Sequence, residues 1–157
     1  FVYSNTTQRS FAMAADLMDS DLDLNRIAYR LFYQSSQARL RLMGLIFSRA
    51  RFSQGGRIVL ASVRPEQMQA FGATDDDLDG IIGQLRNVSG VELAMILRLQ
   101  PDGNIRINIR SSPVIDAANL AGQFGGGGHP RAAGMTLTGM SLKEAEAAVL
   151  QKAGELL

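Results

Sequence analysis

The chain has 157 residues, 46% of them hydrophobic and 20% charged, with a net charge of +1. That length suffices for one domain with a packed core, or one domain and an appendage, and the even charge balance excludes a broad cationic field that would draw nucleic acid from a distance. The absence of cysteine excludes a disulfide framework, thiolate metal ligation and a thiol nucleophile, and no apolar run nears the roughly 18 residues of a membrane span, so a cytoplasmic protein without a membrane partner is expected.

In chain order, Ser4-Asn5-Thr6-Thr7 offers an N-cap for a helix over Gln8 to Met18, which the acidic run Asp19–Asp23 ends. Asp23 caps a predicted long helix from Leu24 to about Arg51, with apolar rows at Ile27, Leu31, Ala38, Leu42 and Leu45 and at Leu40, Met43 and Phe47. Two rows mean burial on more than one side, which a helix packed between domains and a homodimer contact both satisfy. Gly55-Gly56 marks a turn, after which Arg57–Val63 reads as a strand, Pro65 to about Gly72 as a short helix, and Asp75–Leu85 as another. The acids Asp75, Asp76 and Asp77 open that last helix, where they complement its dipole; consecutive helical residues diverge too much to form a metal site.

Val91–Leu99 and Asn104–Arg110 are predicted strands joined by Gln100-Pro101-Asp102-Gly103, a hairpin signal. Ile105, Ile107 and Ile109 alternate with Arg106, Asn108 and Arg110, so one face of that strand is buried and the other wet. Asp116 caps a helix to Phe124, a glycine run follows, Gly134–Thr138 is a strand, and Ser141-Leu-Lys-Glu144 is a capping box opening the last helix. The order β-α-α-β-β-α-(Gly loop)-β-α predicts an α/β fold, a mixed sheet with helices packed on it, preceded by a helical linker segment.

The segment Gly125-Gly126-Gly127-Gly128-His129-Pro130-Arg131-Ala132-Ala133-Gly134 carries the chemistry. Four glycines in a row can adopt positive φ and gather several backbone N–H groups on one point, a concavity suited to phosphate. Pro130 is placed to start a helical turn, and His129 and Arg131 add a switchable and a permanent donor. The competing reading is punctuation, since glycine routinely ends helices. A P-loop is excluded because no Gly-Lys-Ser/Thr follows, and a dinucleotide fingerprint because Pro130 stands where its third glycine is needed. Arg110-Ser111-Ser112, at a strand end, offers a guanidinium and two hydroxyls to a second anion or a base edge. With His129 the only histidine, a complete two-metal hydrolytic centre is not expected, and the first residue, Phe1, reads as the start of a piece of a longer chain.

Gly126-Gly127-Gly128-His129, two intervening residues and Ala132-Ala133-Gly134 resemble the GGGHxxAAG signature of the DHHA1 domain, the accessory domain of DHH-family phosphoesterases. Phe1–Thr7 is similar to the end of a DHH domain in the oligoribonuclease and pAp-phosphatase branch, Asp79-Gly80-Ile81 to its acid-Gly-hydrophobic segment, and Ile109-Arg110-Ser111 to its Arg-Ser strand end. The resemblance implies that residues 1–53 are the tail of a DHH domain with a connecting helix, and residues 54–157 the DHHA1 substrate-binding domain. It implies a hydrolase parent whose manganese ions sit on Asp and His residues of a DHH domain outside this chain, with none bound here and the 157-residue chain alone inactive. Gly126, Gly127, Gly128 and His129 would then grip a nucleotide or short RNA or DNA, His129 as a possible assistant to catalysis, with Arg110 and Ser111 as helpers. Arg131 occupies a variable position of the motif and rests on its chemistry alone. Two alternatives fit the same residues: a cyclic dinucleotide phosphodiesterase, and a nucleic-acid-binding module without hydrolytic function.

Overall fold

A computed structural model of the chain describes residues 5–18, 22–78 and 80–157, in two compact units, 1–35 and 36–157. The sequence readings at Phe1–Ser4, at Asp19–Asp21 and at Asp79 lie outside the described residues.

The first unit holds α1 (Gln8–Met18) and α2 (Leu24–Ala28), with the Asp23 carboxylate accepting from the Arg26 N–H at 2.9 Å as its N-cap. A π-helical turn, Tyr29–Tyr33, continues α2. The predicted single helix from Leu24 to Arg51 is corrected at this point. Gln34 leaves helical geometry at ψ 126°, and Ser36 starts a separate helix, α3 (Gln37–Ser48), its hydroxyl accepting from the Arg39 N–H. A serine hydroxyl competes for backbone donors, and Ser36 does so as the cap of the new helix.

The second unit is a six-stranded sheet in the order β1-β2-β3-β4-β6-β5. Its strands are β1 (Arg51–Ser53), β2 (Ile58–Val63), β3 (Leu93–Leu99), β4 (Ile105–Ser111), β5 (Gly127–His129) and β6 (Ala132–Leu137). Only β2 and β3 pair in parallel; every other neighbouring pair is antiparallel, which makes the sheet mixed as predicted. The helices are α4 (Pro65–Phe71), α5 (Asp75–Leu78), α6 (Ile81–Arg86), α7 (Ala117–Gly122) and α8 (Leu142–Gly154). The helix expected over Asp75–Leu85 is therefore two pieces, parted at Gly80, whose φ of 80° is left-handed. Asp77 does cap the first piece from within. It accepts from the Thr74 N–H and from the Ser36 hydroxyl, and these bonds hold its carboxyl below its usual pKa.

Each face of the sheet has its own core. On one, Ile105, Ile107 and Ile109 of β4 pack with Leu93, Met95, Leu97, Met135 and Leu137 beneath α7 and α8. On the other, Val59, Ala61, Val63, Ala94 and Ile96 pack under α3, through Leu42 and Ile46, and under α6. The β4 isoleucines are fully buried, each worth about 1.5–3 kcal/mol. A slip of one residue would bury Arg106, Asn108 and Arg110 instead, so the register of β4 is firmly fixed. That register decides which side chains meet on the uncovered part of the sheet.

Candidate functional site: an open sheet face at the glycine hairpin

The glycine run does three separate things. Gly125, at φ 74°, ends α7: its N–H donates to the Gly122 carbonyl at 3.1 Å, and the Gly126 N–H to the Ala121 carbonyl at 2.9 Å. This pattern is a Schellman close. The amides of Gly125 and Gly126 are thus consumed by the helix end, not gathered on one point as the sequence reading expected.

Gly127–His129 then forms β5, an edge strand that the sequence reading placed in a loop. It pairs with β6 through Gly127↔Gly134, Gly128↔Ala133 and His129↔Ala132, with Pro130-Arg131 as a two-residue hairpin turn, not a helical start. Gly126 and Gly128 are required by contact. A Cβ on Gly126 would lie 2.8 Å from Met135 Cα, and one on Gly128 would lie 2.6 Å from both Ala132 O and Ala133 Cα. Gly127 has open space where its Cβ would be.

Residues opposite one another in a sheet share a face. Ala133 points into the α7–α8 core, so Gly128 does too, and Gly127 and His129 point to the other side. On that side β6 presents Ala132, Gly134 and Thr136, opposite Arg110, Asn108 and Arg106 of β4. Three rows therefore cross the strands: Arg110–Ala132–His129, Asn108–Gly134–Gly127 and Arg106–Thr136. The small residues in the middle make a trough floored by Gly134, where an added Cβ would stand 3.3 Å from the Ile107 carbonyl. Arg110 and His129 flank it two strand spacings apart, roughly 10 Å between backbones. Both are exposed, and among the described residues neither forms an ion pair. Arg110 Nη1 donates to the Ile109 carbonyl at 3.1 Å.

Two of the residues named from sequence are committed elsewhere. The Ser111 hydroxyl, 6% exposed at residue level, donates to the Pro130 carbonyl at 2.9 Å, and its N–H donates to the Arg131 carbonyl. Alternation along β4 puts Ser111 on the opposite face from Arg110. Arg131 Nη1 donates to the carbonyls of Ser112 and Ile115 at 2.8 and 3.3 Å. With the Ala117 N–H also donating to the Pro130 carbonyl, these bonds pin the hairpin turn and so aim His129. Ser111→Ala is expected to destabilise the protein by about 1–2 kcal/mol, read by thermal melting, while weakening nucleotide binding far less than loss of Arg110.

Sequence reasoning named Gly134 only as part of the motif and did not name Arg106, Asn108 or Thr136 as candidate site residues. The available signal was the strict alternation of β4; the missing information was that β5 and β6 extend the same face. The trough combines a guanidinium suited to bidentate anion contact, an imidazole, a carboxamide and a backbone with no side chains in the way. That set has the chemistry to contact an anion. Among the described residues no group of three or more His, Asp or Glu comes together, so those residues do not by themselves make up a manganese ligand set. Nor is any helix among them long and apolar enough to cross a membrane.

The sequence and the fold are similar to those of known proteins. The bifunctional oligoribonuclease and PAP phosphatase NrnA of Thermus thermophilus is 35% identical over all 157 residues, which correspond to 46% of that protein. Its Bacillus subtilis counterpart is 29% identical over 138 residues, 87% of this chain and 42% of that one. The chain thus spans less than half the length of these relatives. The solved structure of an exopolyphosphatase-related protein from Bacteroides fragilis superposes with a TM-score of 0.84 at 25% identity, covering 99% of this chain and 47% of that one. The sequence profile of the DHHA1 domain matches residues 55–157, and the chain belongs to that family.

Proposed function

We propose that this chain is the substrate-gripping part of a cytoplasmic, manganese-dependent DHH-family phosphoesterase acting on short oligoribonucleotides or 3′,5′-bisphosphorylated adenosine. In that reading residues 1–53 are the end of the DHH domain and its connector, and residues 54–157 the DHHA1 domain. The observation that carries it is the row Arg110–Ala132–His129, which sets an arginine and a histidine on one face of the sheet, either side of one small residue. The names of the relatives support the substrate class.

Arg110 takes two oxygens of a substrate phosphate in its planar fork, and His129 donates to a third from the far side. Gly127 lets the ligand approach the main chain. Every second N–H of an edge strand lacks a ladder partner, so β5 can add a backbone donor. Asn108, beside Gly134, offers both a donor and an acceptor to a base or sugar. The role is positional: it holds the scissile phosphate's neighbour still, which removes orientational freedom before reaction. The residues that would hold manganese belong to the DHH domain, outside this chain.

The 157-residue chain, given manganese and either a diribonucleotide or pAp, is expected to release no product while still binding adenosine monophosphate. Release of mononucleotide or inorganic phosphate by the chain alone would overturn the division of labour.

A further inference from the structure

The trough has a second cationic end. Along β4, Arg106 lies four residues from Arg110 on the same face, about 13–14 Å away at the rise of a strand. Its neighbour on β6 is Thr136, exposed like itself, whose hydroxyl can join it on an anion. Its neighbour on β3 is Arg98, directly opposite. Like charges facing across a sheet oppose folding. The Asp75 carboxylate relieves only one of the two: it pairs with Arg98, which is 9% exposed. Burial, then the charge of Arg106, draw the Arg98 guanidinium pKa below its ordinary value. Among the described residues Arg106 has no carboxylate partner, so the fold keeps a second, exposed guanidinium where its own electrostatics disfavour one.

Between the two ends the floor is Asn108 and Gly134, with Leu78 and Ile82 lining the wall beside Asn108 and Arg106. A single phosphate held by Arg110 and His129 leaves Arg106 unused. An extended single strand carries a phosphate at every nucleotide, and a cationic groove can track that backbone from one end to the other.

Resting on the nucleotide-gripping role of Arg110 and His129, we infer that Arg106 and Thr136 form a second phosphate subsite. A single-stranded oligonucleotide runs along β4, one phosphate at Arg110–His129 and another, farther along the strand, at Arg106–Thr136. Arg106 is thus a length-selecting residue that contributes to oligonucleotides and not to mononucleotides.

The test uses the full-length protein carrying Arg106→Gln, Arg106→Lys or Arg110→Gln, with dissociation constants measured for adenosine monophosphate and for ribonucleotides of two, three and four residues at several salt concentrations. Arg106→Gln is expected to leave adenosine monophosphate binding within about twofold, to weaken the tetranucleotide about tenfold, and to lower its salt slope by about 1, with Arg106→Lys restoring most of both. Because it relieves the opposition to Arg98, Arg106→Gln should not lower the melting temperature. Equal loss for every length, or no loss for any, overturns the second subsite. Arg110→Gln separates the two ideas. If it abolishes binding at all lengths while Arg106→Gln is neutral, only the second subsite fails; if it leaves adenosine monophosphate binding intact, the gripping role fails first.

Discussion

Gly126→Ala and Gly128→Ala are expected to disrupt the β5–β6 hairpin, whereas Gly127→Ala, between them, should leave stability within about 0.5 kcal/mol of the parent. Identical glycines differ because alternate ones face opposite sides of the sheet. A methyl on Gly126 meets Gly134 O and the backbone of Met135, and one on Gly128 meets Ala132 O and Ala133 Cα at 2.6 Å. Neither obstacle is a flexible side-chain end, so relief requires moving β6, which packs Ala133, Met135 and Leu137 into the core. Overpacking of this kind costs about 1–3 kcal/mol. At Gly128 the φ of 146° adds backbone strain of about 1–3 kcal/mol for any residue with a Cβ. Gly127 has neither problem, and its methyl would enter the trough. The two outer variants should therefore lower the melting temperature and speed amide exchange at Ala133 and Met135. Gly127→Ala should melt normally yet bind nucleotide about tenfold more weakly, because the ligand loses its close approach to the main chain. Equal melting of all three variants would mean that the run is a loose loop.

The second large effect is on activity. In the full-length protein Arg110→Gln and His129→Gln should each lower kcat/KM for a diribonucleotide about 100-fold, near 2.7 kcal/mol, at unchanged melting temperature. The magnitude is that of a charge-assisted hydrogen bond to a poorly solvated phosphate. Arg110→Lys should recover little, since a point charge does not reproduce a planar fork. Because both groups grip one phosphate, the double variant should lose much less than the product of the single losses. A full product of losses would place the two residues on separate ligand groups.

The local part of this architecture was legible in the residues. The Ile-x-Ile-x-Ile spacing of β4 announced one buried and one wet face, and the Ser141–Glu144 box and Asp116 cap named the starts of α8 and α7. The importance of the glycine run was legible too, but its cause was not. Whether Gly126 needs positive φ, an anion or merely space depends on β6 standing against it, which no local pattern encodes. For the same reason β5 escaped notice: Gly-Gly-His has no strand propensity and is a strand only because Ala132–Gly134 pairs with it. Ser111 and Arg131 were recognised as donors, yet their acceptors, the carbonyls of Pro130, Ser112 and Ile115, are brought near by the turn. The break in the expected long helix falls at residues 34–36, inside the apolar rows, where Ser36 caps a new helix.

One titration tests whether the face shared by Arg110 and His129 holds a nucleotide phosphate. Adenosine monophosphate added to the isotope-labelled chain should shift the amides of Gly127 and His129, the Asn108 carboxamide and the Arg110 side chain along one saturating curve. Inorganic phosphate should reach the same Arg110 and His129 signals more weakly. If those signals stay still while others move, for instance around the roughly 360 Å³ cavity lined by Met68, Leu99 and Gln100, the nucleotide binds elsewhere and the account is contradicted.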